Sequence, residues 1–108
     1  RPTLTIDDFT RTGRVWEYAT EQPLLLDHAV IQEDLTRGEH VNRYRLSSIP
    51  APGEGGFLLL HEGYTIGHKA ICRFPLQKVS RLRLEILEND GDVSLRSLQF
   101  FDSSSSCR

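Results

Sequence analysis

The chain has 108 residues, of which 38% are hydrophobic, and a formal net charge of −2 from 13 basic and 15 acidic residues. This length accommodates one domain rather than two, and the composition is that of a folded globular protein rather than a disordered one. There is no basic excess to bind nucleic-acid phosphates and no apolar run near the ~20 residues that span a bilayer, so we expect neither nucleic acid nor membrane as a partner.

The spacing of apolar residues predicts strands along most of the chain. The clearest case is the segment 80–86, in which leucine and isoleucine alternate with arginine and glutamate, as in a strand with one buried face. A further edge strand is predicted over 1–6 from its threonine-rich, β-favouring composition. The other predicted strands, in chain order, are 15–18, 24–31, 43–46, 57–61, 70–74, 80–86 and 93–101.

Turn residues separate these strands. The strongest hairpin signal is Asn89–Asp92, because asparagine, aspartate and glycine tolerate positive φ. The segment 32–37 is predicted as a turn rather than a helix, since Gly38 follows it. Short strands separated in this way are typical of an antiparallel β-sandwich. We expect one sandwich domain over 1–102, followed by a flexible serine-rich tail over 103–108.

Three blocks of sequence carry a resemblance to a known family. The first is 31–41, the second begins with Gly63-Tyr64-Thr65-Ile66-Gly67 and continues to Phe74, and the third is the strand 80–86 with the final strand 95–101. In order and spacing these blocks resemble the C-terminal, non-catalytic β-sandwich domain of alpha-L-fucosidases. The chain departs from the family pattern at Glu39, His40, His68 and Ala70, and the segment before Leu24 resembles the family poorly.

The resemblance implies an all-β, galactose-binding-like sandwich (a jelly roll) related to discoidin-type domains. It implies a domain that packs on the catalytic barrel of a parent enzyme and contributes no catalytic residue, and it favours a secreted, periplasmic or lysosomal location. Since the chain begins with Arg1 and contains no methionine, we also expect an excised or processed piece of a longer protein.

The residues themselves offer no constellation for catalysis. Glycoside hydrolysis needs two positioned carboxyl groups. Neighbours on a strand, such as Asp7-Asp8 and Glu33-Asp34, face opposite sides. Asp90 and Asp92 lie in an exposed turn, where desolvation is too weak to tune a pKa. No Gly-x-Ser-x-Gly elbow accompanies the 4 histidines. We expect this chain by itself not to be an enzyme.

Aromatic residues are the candidates for carbohydrate binding, because a ring packs against the face of a pyranose. Trp16 is the only tryptophan, and it is either a core residue or a sugar platform. Tyr64, beside the turn at Gly63, is the second candidate. The predicted carbohydrate-binding residues are thus Trp16, Tyr64, His68 and Arg73.

No cofactor is expected, and calcium at the acidic turn Asn89–Asp92 is the alternative. Cys72 and Cys107 are the only cysteines. Either they pair as a disulfide, as in proteins of oxidising compartments, or Cys72 is buried on a strand and Cys107 is free.

The favoured hypothesis is an accessory domain that packs on the catalytic barrel of an alpha-L-fucosidase-like hydrolase and also binds glycan. The interdomain surface would be formed by apolar residues outside the main core pattern. They are Leu25, Leu58, Leu60 and Leu87. One alternative is a free-standing carbohydrate-binding module. The other is a protein-interaction sandwich in which the arginine-bearing strands form a polar rim.

Overall fold

The computed structural model describes residues 2–36, 40–50 and 55–103. Within them every strand pairing is antiparallel, which confirms the predicted all-β fold. No helix among these residues has the length and hydropathy that a membrane span requires. After a 3-10 turn at Ile6–Asp8, the strands are β1 (Thr10–Thr12), β2 (Val15–Glu33), β3 (Val41–Ile49), β4 (Leu58–Gly63), β5 (Ala70–Asn89) and β6 (Leu95–Phe101).

The two longest strands each merge two predicted strands into one. β2 joins the predicted strands 15–18 and 24–31, and β5 joins 70–74 and 80–86. Their mutual pairing is interrupted twice, between Ala19 and Leu24 and between Leu26 and His28 of β2. Pro23 lies in the first interruption and Pro75 lies opposite the second. Proline cannot donate a ladder hydrogen bond, so both prolines stand where the ribbon bends.

The β2/β5 ribbon folds back on itself. At about 3.3 Å per residue, the 20 residues of β5 would extend over ~66 Å if straight, whereas the longest dimension of the molecule is 37 Å. The two ends of β5 therefore meet: Glu33 N donates to Gly67 O (3.0 Å) before β5, and Asp34 N donates to Ser94 O (2.8 Å) after it. We call this the loop end, and the opposite end, with residues 20–23 and 74–76, the bend end.

Folding the ribbon produces two layers around one core. The larger layer contains β1, the first half of β2, the second half of β5, β3 and β4, and the smaller contains the remaining halves with β6. Tyr44 of the larger layer contacts Cys72 of the smaller one, with Oη and Sγ 3.5 Å apart. Phe9 stacks on Phe100 with ring centroids 5.5 Å apart. The sandwich expected from the sequence is therefore built from one continuous sheet.

Two local predictions are wrong. Residues 1–6 were expected to form an edge strand, but the chain makes only an isolated bridge between Leu4 and Phe100 within the described residues. The turn at Asn89–Asp92 was expected to close a hairpin, but β6 pairs with β2 and not with β5. The reason is that β5 already lies between β2 and β3, so its second half has no free edge to offer β6.

The C-terminal segment is held as far as Ser103. The backbone nitrogen of Ser103 donates to Asp27 Oδ1 (3.1 Å) and its hydroxyl donates to Asp27 Oδ2, which lowers the pKa of the Asp27 carboxyl. Residues 104–108, including Cys107, lie outside the described part of the chain. The flexible tail and the disulfide between Cys72 and Cys107 therefore stay predictions.

Gly63 is predicted to be intolerant of a side chain. A Cβ there would lie 2.5 Å from Oη and 2.6 Å from Cζ of the buried Tyr44 ring. Because the ring is held in the core, we expect Gly63→Ala to destabilise the domain by about 1–3 kcal/mol, measured by urea unfolding. The matched control is Gly56→Ala, where no described atom lies within 4 Å of the added methyl group. Equal stability of the two variants would contradict the packing around Tyr44.

The burial of the Tyr44 phenol and the Cys72 thiol predicts a loss of stability at alkaline pH. Burial raises the pKa of the Tyr44 phenol above its ordinary 10.0 and that of the Cys72 thiol above its ordinary 9.0. The folded protein therefore holds these protons more tightly than the unfolded chain, so stability is complete below these values and falls as the pH rises past them. The check is the free energy of unfolding between about pH 7 and pH 11.

Tyr44→Phe keeps the ring and removes one titrating group, so part of the alkaline loss should disappear in this variant. An unfolding free energy that falls equally steeply in the wild type and in Tyr44→Phe would show that Tyr44 does not contribute.

Candidate functional site

Trp16 is a core residue, which corrects its placement among the carbohydrate-binding candidates. Its side chain is 3% exposed. The residue pairs with the buried Leu84 of β5, and Arg11 covers its ring, with the guanidinium carbon 4.5 Å from the ring centroid. Arg11 is itself fixed by a 2.8 Å hydrogen bond to Val93 O. The ring therefore offers no face on which a pyranose packs.

The three other candidates are exposed, but they do not form one cluster. Tyr64, with 75% of its side chain accessible, and His68 both lie in the segment between β4 and β5 at the loop end. Arg73 lies on β5 opposite His28, on the outer face of the smaller layer. The structure thus brings Tyr64 and His68 to one end of the sandwich and leaves Arg73 on another surface.

Three segments converge at the loop end: 34–36 with His40, 64–69, and 90–94. Besides the two bonds from Glu33 and Asp34, Asp90 N donates to His40 O (3.0 Å) and ties the third segment to the start of β3. Thr36 N donates to Asp34 Oδ1 (3.1 Å), which closes a local turn. Connecting loops held by a rigid scaffold are a usual place for binding residues.

Two cavities lie between these segments, and they share Asp34 and Thr36. One has a volume of about 320 Å³ and the other of about 340 Å³. Among the described residues, the first is lined by Asp34, Thr36, His40, Asp92 and Ser94, and the second by Glu33, Asp34, Leu35, Thr36, His68 and Arg96. We call them together the loop-end cavities. Most of the lining residues are polar or charged, in contrast to those of the apolar core beneath them.

Glu33 is the most unusual residue of this site because it is a carboxylate with 2% exposure. Oε2 accepts hydrogen bonds from His40 N (2.7 Å) and Val41 N (3.2 Å), which hold the start of β3. Oε1 is buried and has no hydrogen-bond partner among the residues that the structure describes. A buried acceptor left unsatisfied costs about 1–3 kcal/mol, and more if it is charged.

The sequence itself contains a signal for Glu33 as an inward-facing charged residue. Ala29 and Ile31 point into the core, and the strand period of two places Glu33 on the same inward face. A charged residue at an inward position requires partners. The hydroxyl residues Thr36 and Ser94 gave no comparable signal, because their contribution depends on the convergence of distant loops.

The outer face of the larger layer carries a ladder of ion pairs, with two open cavities of about 270 and 340 Å³ beside Arg83 and Glu85. Arg83 Nε lies 2.8 Å from Glu17 Oε2, and Arg45 lies 3.4 Å from Glu85. The Arg83 guanidinium also lies over the ring of Phe57, 3.9 Å from its centroid. These pairs are half exposed, so they contribute little to stability and mainly keep this face polar.

No group of three or more histidine, cysteine, aspartate or glutamate side chains within the described residues is arranged to hold a metal ion. Calcium needs six or more oxygen ligands. Calcium at the turn Asn89–Asp92, where asparagine and backbone carbonyls would supply some of the oxygens, stays a prediction.

Comparison with solved structures places this fold within larger enzymes. An alpha-L-fucosidase proposed for Bacteroides thetaiotaomicron matches 94% of this chain with a TM-score of 0.80 and 19% identity. A Ruminococcus gnavus fucosidase of glycoside hydrolase family 29, solved with fucose, matches 82% with a TM-score of 0.73 and 21% identity. The chain spans only 22% and 17% of these two proteins. It has the size and fold of a small accessory domain and is not their catalytic barrel.

A separate module also shares the fold. A chitosan-binding module from a chitosanase/glucanase of Paenibacillus matches 82% of this chain and 67% of its own length, with a TM-score of 0.64 and 6% identity. No protein-family model matches the sequence, and no curated protein matches it.

Substitution of the two aromatic candidates distinguishes core from surface. Trp16→Ala should destabilise the domain by about 3–5 kcal/mol, because it empties a packed core position. Tyr64→Ala, the matched control, should change stability by less than about 0.5 kcal/mol, because the ring is exposed. Both are measured by thermal and urea unfolding. A Trp16→Ala variant as stable as the wild type would place the indole outside the core.

Proposed function

We propose that this chain is the non-catalytic accessory domain of an alpha-L-fucosidase-like glycoside hydrolase and that it packs on the catalytic barrel domain through its bend end. The observation that carries the proposal is the structural likeness, which covers 82% or more of this chain but only about a fifth of each fucosidase. A fold that recurs as the same small part of larger enzymes is expected to serve them as a domain.

Exposed leucines at the bend end support this docking surface. Leu58 is 55% and Leu59 is 60% exposed, and both lie on β4, the edge strand of the larger layer. Leu25 and Leu76, beside the two interruptions of the ribbon, are also exposed. An uncovered apolar edge strand invites aggregation, and a neighbouring domain that covers it removes this liability.

The surface differs in part from the one that the sequence suggested. Leu25 and Leu58 of the original set are exposed, whereas Leu60 and Leu87 are half-buried, and Leu60 packs against the core. Leu59 and Leu76 are exposed instead and belong to the proposed docking surface. The irregular pairing between Leu46 and Ser47 of β3 shifts the register of β4 and redistributes its leucines between the two faces.

A free-standing carbohydrate-binding module is the second candidate function. The likeness to the chitosan-binding module favours it, since that protein is a module of similar size. In this case the reading frame that encodes the chain would contain no glycosidase barrel, and the bend end would require no partner domain.

The test of the first proposal is the protein encoded by the whole reading frame. We expect a barrel domain of at least ~200 residues, and hydrolysis of a chromogenic alpha-L-fucoside by the whole protein but not by the 108-residue chain. In the whole protein, Leu58→Ser with Leu59→Ser should loosen domain docking, measured as faster proteolysis between the domains and a lower thermal midpoint.

The matched control is Ile71→Ser, which removes a side chain of similar exposure (48%) from the outer face of the smaller layer. It should leave both measurements unchanged. A reading frame without such a barrel contradicts the proposal, and equal effects of the leucine and isoleucine substitutions contradict the bend end as the docking surface.

A further inference from the structure

We propose that the loop-end cavities form a binding site for a non-acidic sugar residue, neutral or amino-substituted, at the end of a glycan. The site lies at the opposite end of the sandwich from the proposed docking surface. It is built wholly from this chain's own residues, so it does not depend on the catalytic barrel.

The size and position of the cavities suit a small ligand. Each has a volume of 320–340 Å³, at the lower end of the range of about 300–1,000 Å³ for ligand pockets. Backbone hydrogen bonds from Glu33, Asp34 and Asp90 fix the three surrounding segments relative to one another. The site is therefore formed before a ligand arrives, which lowers the entropic cost of binding.

The chemistry of the walls matches a ring bearing hydroxyl groups. Asp34 and Asp92 present carboxylate acceptors, Arg96 presents guanidinium donors, and the hydroxyls of Thr36 and Ser94 both donate and accept. Sugar hydroxyls also donate and accept, and adjacent ones match the spacing of a carboxylate or a guanidinium.

Glu33 provides an independent observation that points to a ligand. It lines the second cavity, and its buried Oε1 has no donor, whereas Oε2 has two. Unsatisfied polar groups of this kind are uncommon in folded proteins and call for an explanation. A hydroxyl or ammonium group entering the cavity, directly or through one water that it carries, supplies the missing donor.

The charges select among sugars. In the described part of the chain, the cavity walls carry the carboxylates of Glu33, Asp34 and Asp92 and the guanidinium of Arg96. The resulting negative potential repels uronic and sialic acids and admits neutral sugars and amino sugars. Tyr64 offers an exposed ring at the same end, where the apolar face of a neighbouring sugar unit can pack.

The test is an NMR titration of the isotopically labelled 108-residue protein. The probes are methyl alpha-L-fucoside, methyl galactoside, glucosamine and N-acetylglucosamine, with glucuronic acid as the acidic comparison. We expect at least one non-acidic probe to shift the amide signals of residues 34–36, His68 and 92–96 saturably, with a dissociation constant of about 1 mM, as is usual for a single sugar unit with few contacts. Glucuronic acid should shift none of them.

Glu33→Gln is the decisive variant. Its side-chain carbonyl still accepts from His40 N and Val41 N, but an amide group replaces the unpartnered oxygen, so the acceptor becomes a donor. We expect binding to weaken at least about tenfold, with a thermal midpoint equal to or above that of the wild type. The matched control, Glu21→Gln, changes an exposed glutamate at the bend end and should bind like the wild type.

If Glu33→Gln fails to fold, Arg96→Gln gives the same test, because Arg96 is exposed and its removal leaves the core intact. Three outcomes overturn the proposal: no saturable shift with any non-acidic probe, saturable shifts that map away from the loop end, or undiminished binding in the variant that folds. None of these outcomes bears on the proposed accessory role, which is tested separately by whether the whole reading frame encodes a catalytic barrel.

Discussion

The structure depends on a single constraint: β2 and β5 remain paired while they bend, so that one ribbon contributes to both layers of the sandwich. In most sandwiches each layer has its own strands, and the layers adhere through side chains alone. Here the ladder between Val15 and Ile31 of β2 and their partners on β5 runs through both layers. The core residues of the two layers are therefore linked by backbone hydrogen bonds as well as by packing, and Tyr44 and Cys72 meet across the interior as a consequence.

The same bend gives the two ends of the domain different chemistry. At the bend end the chain turns within its strands, and the irregular pairing leaves leucines without a buried face. At the loop end the strands stop, and the segments between them carry the carboxylates, hydroxyls and histidines that line the loop-end cavities. A domain with one apolar and one polar end is suited to hold one partner while it leaves the other end free. This is the arrangement that an accessory domain requires if it also contacts a glycan.

Local patterns predicted what depends on local sequence. The alternation in 80–86 placed Leu82, Leu84 and Ile86 in the core, where the structure has them. The partner of β6 could not be predicted in this way, because it depends on which strand edges remain free after β2, β3 and β5 have paired. The continuity of β2 through Pro23 and of β5 through Pro75 was not predicted either. A proline inside an apolar run indicates a break, but it does not show whether the segments on its two sides remain parts of one strand. The side chains of the candidate site were the least predictable, because they come from three distant segments.

Glu33 shows how a single residue connects the fold to the candidate site. Its Oε2 accepts hydrogen bonds from the backbone nitrogens of His40 and Val41 and thereby holds the start of β3. An alcohol or an amide oxygen would satisfy the same two donors without placing a second carboxylate oxygen in a buried position. Among the described residues the second oxygen has no donor, although Glu33 lines one of the loop-end cavities, and the fold alone does not explain this. The energetic cost of burying Oε1 without a donor is explained if the loop end has a role beyond stability. Functional sites are the places where proteins retain groups that destabilise the fold.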